Sequence, residues 1–210
     1  MNLLSKIDHL IYNVTDLHEG IATIEALTGV SPIIAGRHQG KGTWNALMSL
    51  GPGIYFEVIA PDPEQQHIKD AIWREAIIQM PVNRFVKWCA KTHDAQALAK
   101  KAKEQQIDLG EVISGSRQKN DGSVLSWTST DFRKNPSGIL PFFIDWGDSE
   151  HPSGVLPGGC SIISLEAVHP NAEKLQKDLQ VLDLPLKVYP GNDIRLIARL
   201  NTPKGEVVLL

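Results

Sequence analysis

Several residue types and patterns that would assign this 210-residue chain to a class are scarce or missing. The chain has two cysteines, Cys89 and Cys160, which lie far apart and form no CxxC pair. This scarcity argues against a disulfide framework and against a zinc knuckle. We expect Cys89, which lies in an apolar stretch, to be a buried apolar residue rather than a nucleophile. A Gly-x-Ser-x-Gly frame is also missing, so the sequence does not indicate a serine nucleophile.

The chain also lacks an excess of charge of one sign and any long apolar run. Its formal net charge is −3, which gives no electrostatic footprint for nucleic acid or for an anionic membrane. No run approaches the roughly 18 apolar residues of a membrane span. The N-terminus shows no basic region followed by an apolar core, so we expect no signal peptide. We therefore expect a cytoplasmic protein with neither nucleic acid nor a membrane as a partner.

The stretch from Lys6 to Asp16 organises the rest of the chain. Apolar residues lie on both faces of an extended strand there, so the strand is predicted to be covered on both sides. His9 lies in the middle of it, either as a core histidine bonded to backbone or as a ligand that points into a cavity. Asp16 is predicted to cap the following helix, with Glu19 in capping-box spacing. Gly29 is predicted to end that helix.

The order strand, helix, strand, strand, strand is predicted twice, and the two starts lie about 75 residues apart. We place the first unit at residues 1–61, a connecting helix and linker at 62–81, and the second unit at 82–147. The second unit includes a predicted hairpin turn at Asn120-Asp121-Gly122. A loop and a third strand-helix-strand segment, packed on the same domain, are predicted over residues 148–210.

Four motifs resemble those of the glyoxalase-like domain family, within the vicinal oxygen chelate (glyoxalase/bleomycin resistance/dioxygenase) superfamily. They read IDHLIYNV, GTWNALMSLG, YFEVIAPDP and PFFIDWG. The resemblance implies an α+β fold in which paired βαβββ modules form a cupped mixed sheet around a cavity. The C-terminal β-α-β segment would be appended to that sheet.

The resemblance also implies a set of metal ligands on the first and fourth strands of each module. Residue by residue, it assigns His9 and Glu57 in the first module and Asp145 in the second. The remaining first-strand position falls at or near Arg84. Arginine stays protonated and has no lone pair to offer, so it cannot bind a metal. The cofactor is therefore expected to be either one divalent metal ion or none.

Glu57 and Asp145 lie in strands rich in apolar residues, where an unpaired carboxylate costs several kcal/mol. Three hypotheses account for them. Arg84 pairs with one or both in a structural ion cluster. Alternatively, His9, Glu57 and Asp145 hold a divalent ion with open positions for a substrate's oxygens. In the third hypothesis the cavity holds no metal, and Arg84 binds a substrate carboxylate or phosphate through bidentate hydrogen bonds.

Other polar and aromatic residues are candidates for the same cavity. His38 lies on a predicted loop and is either a cavity-mouth residue or solvated. Asn45 is predicted to shape the pocket, and Trp146 is either a substrate contact or core. His151 follows the last strand of the second module and is, with Glu57, a candidate general acid or base; an exposed loop histidine is the alternative.

The predicted function is a small-molecule site inside the cup. As an enzyme, the protein would be a divalent-metal-dependent lyase, isomerase or dioxygenase that acts on a substrate with adjacent oxygens. As a metal-free binding protein, it would sequester a small anionic metabolite or drug through Arg84. The sequence leaves open whether it is an enzyme, and a homodimer is also left open.

Overall fold

The computed structural model describes residues 2–68, 72–118, 124–134 and 138–210. The predicted turn at Asn120-Asp121-Gly122 lies outside these ranges. In chain order, the elements are β1 (Ile7–Asn13), α1 (Leu17–Thr28), β2 (Ile33–His38), β3 (Thr43–Ser49), β4 (Tyr55–Pro61), α2 (Ile72–Gln79), β5 (Arg84–Lys91), α3 (Ala95–Glu104), β6 (Val112–Gln118), β7 (Val124–Thr130), β8 (Phe142–Asp145), β9 (Ser161–His169), α4 (Ala172–Val181), β10 (Lys187–Pro190), β11 (Arg195–Thr202) and β12 (Gly205–Leu209).

The predicted α+β fold is confirmed. One eight-stranded mixed sheet has the order β2-β3-β4-β1-β5-β8-β7-β6, with a module on each side of the β1–β5 pair. In each module the first and fourth strands pair in parallel. The sheet curls until its end strands, β2 and β6, contact each other. The C-terminal segment forms a sheet of its own with four strands, in the order β10-β9-β11-β12.

The helices of the two modules begin at equivalent caps. The Asp16 side chain accepts a hydrogen bond from Glu19 N, and the Asp94 side chain accepts one from Ala97 N. Such caps are worth about 1 kcal/mol each. Gly29 ends α1 in the left-handed conformation, with φ of 81°, which glycine adopts without a steric penalty. The two caps give a reference for comparing the modules residue by residue.

The central strands β1 and β5 are related by an internal two-fold. They pair antiparallel, with His9 opposite Cys89 and Ile11 opposite Lys87. The offset in residue number that relates Asp16 to Asp94 also relates His9 to Lys87. It also relates Ile11 to Cys89. Exchanging the two modules therefore converts the pair His9–Cys89 into the pair Ile11–Lys87. The two modules are therefore aligned by their own hydrogen-bond register.

Each central strand carries one bulge, and the bulges obey the same two-fold. The register shifts once between Ile7 and His9 and once between Ile11 and Tyr12. The extra residue is Asp8 in β1 and Val86 in β5. A bulge breaks the alternation of side chains between the two faces of a strand. Consecutive residues at a bulge can therefore face the same side.

The hydrophobic core lies against one face of the large sheet. It joins buried residues of β1, β4 and β5 with residues of α1, α4 and the four-stranded sheet. Trp88, Phe56 and Leu10 are fully buried in it, and Trp88 donates its indole N–H to Ile139 O at 2.7 Å. Truncation of such an aromatic residue to alanine costs about 3–5 kcal/mol. The opposite, concave face is left for a cavity.

Helix α2 lies at the rim of the concave face. Its Ile77 packs against Ile11 and Ile59 of the sheet. The Asn13 amide donates to the carbonyls of Ile77, Met80 and Pro81, the residues around the end of the helix. These contacts hold α2, and Trp73 on it, beside the cavity. Among the described residues, no helix has the length and apolarity needed to cross a membrane.

Candidate functional site

The concave face encloses a cavity with a polar end and an aromatic wall. With its open mouth included, the cavity holds about 830 Å³. The polar end is formed by side chains from β1 to β4, the β2–β3 loop and β6: His9, His38, Lys41, Asn45, Glu57 and Arg117. The aromatic wall comes from α2 and the second module: Trp73, Trp127, Phe132, Phe142 and Trp146.

A buried carboxylate orients the histidine of β1. Asp8 Oδ1 lies 2.7 Å from His9 Nδ1, and Asp8 is fully buried. Burial alone would raise the pKa of Asp8, but hydrogen bonds from His151 and His9 outweigh it and hold the pKa well below its usual range. An ionised carboxylate only accepts, so His9 Nδ1 carries the proton and donates it. The other ring nitrogen, Nε2, is left for the cavity.

Two further donors meet the same carboxylate. Trp146 Nε1 donates to Asp8 Oδ2 at 2.9 Å, and His151 Nε2 lies 3.2 Å from the same oxygen. The backbone N–H of Ser153 donates to His151 Nδ1, so in neutral His151 the proton is on Nε2 and points at Asp8. Asp8 therefore accepts from three side chains, and the bulge in β1 lets it lie beside His9.

His9 and Glu57 meet at the base of the cavity. His9 Nε2 lies 3.7 Å from Glu57 Oε2. Asn45 Nδ2 donates to Glu57 Oε1 at 2.7 Å, which fixes the carboxylate. The His9 ring stacks on Tyr55, with 4.5 Å between the ring centroids and an angle of 15° between the planes. His9 and Glu57 are both buried; Asp8 fixes His9 through Nδ1, and Asn45, which also lines the cavity, fixes Glu57 through Oε1.

A group of cations lies at the polar end, where β6 meets β2. Arg117 Nη1 is buried and has no hydrogen-bond partner. Burial lowers the pKa of His38, and the positive charges of Arg117 and Lys41 lower it further against the pull of Glu57. No carboxylate among the described residues forms an ion pair with Arg117 or Lys41. This end of the cavity is suited to an anion.

The structure brings together some of the predicted site residues and not others. His9, His38, Asn45, Glu57 and Trp146 line the cavity. His151 does not line the cavity; its Nε2 contacts Asp8, which in turn bonds His9.

Arg84 and Asp145 lie elsewhere. The Arg84 guanidinium donates to Ile194 O at 3.1 Å and borders a separate cavity. Asp145 Oδ1 accepts from Gly147 N at 2.9 Å, while its neighbours Ile144 and Trp146 line the cup. The structure thus brings neither Arg84 nor Asp145 to His9 and Glu57.

The internal two-fold identifies the counterparts of His9 and Glu57 in the second module. Lys87 is the counterpart of His9, as the helix caps show. Glu57 lies beside Ile11 in the parallel β1–β4 pair, and Phe142 lies beside Cys89 in the β5–β8 pair. Phe142 is therefore the counterpart of Glu57. A comparison of the sequence from the caps Asp16 and Asp94 backwards would have found Lys87 in place of Arg84.

These residues do not form a metal centre of the kind implied by the fold family. At the symmetry-related positions, an ammonium and a phenyl ring offer no ligand. Among the described residues, the one group of three side chains with ligand atoms within 4.8 Å of one another is Asp8, His9 and Cys89. Asp8 and His9 Nδ1 already bond each other. Burial, followed by the charges of Asp8 and Glu57, raises the pKa of Cys89 well above its usual value.

Sequence reasoning missed Asp8, Arg117 and Trp127. Strict alternation places Asp8 on the face opposite His9, so only knowledge of the bulge would have assigned it to the site. Arg117 reaches the polar end because the sheet curls until β6 contacts β2, which is a tertiary feature. Trp127 carried a weak signal, since it lies opposite Gly115 in the β6–β7 hairpin.

Comparisons with known proteins agree with this fold. A family model described as a glyoxalase-like domain matches residues 7–182. A search of curated proteins found no significant match.

Among solved structures, a hypothetical protein from Staphylococcus aureus superposes with a TM-score of 0.65 at 18% identity, covering 97% of this chain and 84% of that one. A methylmalonyl-CoA epimerase from Mycobacterium tuberculosis gives a TM-score of 0.45 at 17% identity, covering 69% of this chain and 90% of that one. At 18% identity, the first likeness shows a shared fold alone.

Proposed function

Because the chain belongs to the glyoxalase-like domain family of the vicinal oxygen chelate superfamily, we propose that it binds a small anionic molecule in the cup and isomerises it by proton transfer. One observation carries the proposal. His9 Nε2 and Glu57 Oε2 lie 3.7 Å apart at the base of the cavity. Asp8 bonds His9 Nδ1 and Asn45 bonds Glu57 Oε1, which leaves His9 Nε2 and Glu57 Oε2 to act on a ligand.

The pair is suited to general acid–base catalysis. Glu57 removes a proton from a carbon that carries a hydroxyl group next to a carbonyl. The electrons of the C–H bond form a carbon–carbon double bond while the electrons of the carbonyl double bond move onto its oxygen, which gives an enediolate. His9 Nε2 moves the hydroxyl proton towards the adjacent oxygen, and Asp8 stabilises the imidazolium that forms on the way. Return of the proton to the neighbouring carbon gives the isomer.

The arrangement favours a proton shift along the ligand over inversion of one carbon. Inversion by two bases needs one base on each face of the carbon. His9 and Glu57 approach from one side, because both belong to the first module and lie within 3.7 Å. Across the cavity stands the aromatic wall, which offers no base at the position of Phe142.

An unpaired acceptor supports a substrate with adjacent oxygens. Asn45 Oδ1 is buried and has no hydrogen-bond partner. Leaving such an atom unpaired costs about 1–3 kcal/mol. A substrate hydroxyl that donates to Asn45 Oδ1 would remove this cost. It would also place the carbon that bears it beside Glu57, whose carboxylate bonds the same amide.

No step of this proposal runs through a metal ion, because the described residues do not supply a ligand set for one. Sequestration through Arg84 is not favoured either, since its guanidinium bonds Ile194 O outside the cup.

Solvent deuterium exchange tests the proposal. The protein is incubated in D2O with a panel of 2-oxo and 2-hydroxycarbonyl acids, and loss of the C–H signal beside the carbonyl is followed by NMR. We expect exchange with the wild type and none above background with Glu57→Gln or His9→Gln. Asp145→Asn is the matched control, because it removes a carboxylate charge outside the cavity. Exchange that persists in both site variants would contradict the proposal.

A further inference from the structure

We infer that the ligand of the cup is an aromatic carboxylate, bound with its carboxylate on Arg117 and its ring against Trp127 and Trp146. This names the substrate class of the proposed isomerase and rests on that proposal for the chemistry alone. The binding part stands on three observations: an unpaired guanidinium nitrogen, a fixed aromatic wall, and the spacing between them.

Arg117 has an unsatisfied donor. Its Nη1 is buried without a hydrogen bond, and it lies among other cationic or basic groups, Lys41 and His38. Within the described part of the chain, two buried side-chain atoms without partners belong to cavity-lining residues, Arg117 Nη1 and Asn45 Oδ1. One is a donor and one is an acceptor. A ligand with an anionic group and a hydroxyl group satisfies both.

The aromatic wall is held in place before any ligand binds. A Cβ at Gly115 would lie 2.4 Å from the indole of Trp127, so the indole lies flat over a strand position that has no side chain. Trp146 is held by its hydrogen bond to Asp8. The two indoles are 5.5 Å apart between ring centroids, at an angle of 56°. The two indoles contact each other and present a fixed surface against which a further flat ring can pack.

The β6–β7 hairpin sets the distance between the cation and the wall. Gly115 lies opposite Trp127, and Arg117 lies opposite Leu125, two residues further along β6. Residues two apart in a strand share a face and are about 7 Å apart. A carboxylate on Arg117 and a ring on Trp127 are therefore joined by a linker of about two carbons. Simple sugar phosphates fit less well, because they bring no apolar ring for the wall.

Three probes without a ketone test the inference independently of catalysis. They are 3-phenylpropanoate, its neutral isostere 3-phenylpropanamide, and propanoate, which lacks the ring. Affinities are measured by titration calorimetry and by quenching of tryptophan fluorescence. We expect 3-phenylpropanoate to bind at least about tenfold more tightly than either of the others. Equal affinity for the amide would overturn the carboxylate contact, and equal affinity for propanoate would overturn the aromatic one.

Variants locate the site. Arg117→Met is expected to weaken 3-phenylpropanoate about tenfold to a hundredfold and to leave the amide unchanged. Arg84→Met removes the same charge outside the cup and is expected to change neither affinity. Unchanged binding by Arg117→Met would overturn the inference. The Glu57→Gln protein is expected to bind 3-phenylpropanoate like the wild type. Such binding, combined with a wild type that exchanges no deuterium, would reject the isomerase and keep the ligand class.

Discussion

The two modules of the cup share a frame and differ in chemistry. Both have a central strand with one bulge, a capped helix and a parallel fourth strand. At the bulge, the first module has Asp8 followed by His9, whereas the second has Val86 followed by Lys87. On the fourth strand the counterpart of Glu57 is Phe142. The bulge, which lets two consecutive side chains face the same side, is present in both modules, and in the first module it places Asp8 beside His9.

This difference indicates a division of labour. The first module offers the groups that can hold and move protons, oriented by buried partners. The second module offers the aromatic wall and Arg117, which suit binding. Lys87 belongs to neither role. Burial lowers its pKa to about 8, and the charge of Asp131 opposes that shift, so it is mostly an ammonium at neutral pH.

Removal of His9 or Glu57 from the first module should have the largest effect on the rate of proton exchange. His9→Gln and Glu57→Gln are expected to lower the rate of proton exchange by about 10²–10⁴-fold, the usual contribution of a general acid or base. Lys87→Met, at the symmetry-related position, is expected to change the rate by less than about threefold. Rates are measured by NMR with the substrate at saturation. A larger loss in Lys87→Met than in His9→Gln would break the comparison.

Asp8→Asn should destabilise the fold by about 3 kcal/mol, since it breaks a buried charged network. The pKa of Asp8 is lowered in the folded state. Its stabilisation is therefore fully present above the unfolded value of about 3.9 and is lost as pH falls through the folded pKa. Urea denaturation between pH 2 and 7 should show a constant gap between wild type and variant above about pH 4 and a narrowing gap below it. A gap independent of pH would argue against an ionised Asp8. Val86→Ala, at the matching bulge, should show no such dependence.

Lys87 should give a smaller signature, at alkaline instead of acidic pH. Its folded pKa of about 8 lies below the unfolded value of about 10.4. Between these values the unfolded state binds more protons, so stability should rise with pH over this window relative to Lys87→Met. Denaturation at pH 7, 8.5 and 10 measures it. Parallel curves for the two proteins would mean that Lys87 is not held in a desolvating site.

The smallest expected effect is that of metal ions. Because the second module supplies no ligand opposite His9 and Glu57, the wild type purified without chelator should contain less than about 0.1 divalent ion per chain. Thermal shifts with Ni²⁺, Co²⁺, Mn²⁺, Zn²⁺ and Fe²⁺ should be equal in wild type and His9→Ala. A stoichiometric ion that is lost in His9→Ala would reverse this account and restore the metal hypothesis.

Sequence patterns predicted the elements of each module because local side-chain chemistry sets where its helix begins and ends. The family resemblance then predicted how the elements are arranged. The caps at Asp16 and Asp94 and the Gly29 stop follow from side-chain chemistry within a few residues. Prediction of the site residues also required the strand register. A register error of three residues separates Arg84 from Lys87, and another separates Asp145 from Phe142. The first error could have been corrected by counting back from the two helix caps, whereas the second depends on the pairing of β5 with β8.

Two features of the site depend on tertiary structure. The bulge at Asp8 is created by the antiparallel pairing with β5, which the sequence of β1 alone does not encode. Arg117 lies beside His38 because the ends of the sheet meet, although the two are far apart in sequence. Neither contact follows from spacing along the chain. Periodicity and motifs in the sequence therefore could not predict either contact.

The division of labour is tested most directly by rate and affinity measured together in two variants. Deuterium exchange at C3 of 3-hydroxy-2-oxo-3-phenylpropanoate at saturation gives the rate, and calorimetry with 3-phenylpropanoate gives the affinity. The account predicts that Glu57→Gln loses the rate and keeps the affinity. Arg117→Met should weaken the affinity at least about tenfold and keep the saturated rate within about threefold. Loss of rate and affinity in equal measure in both variants would contradict it.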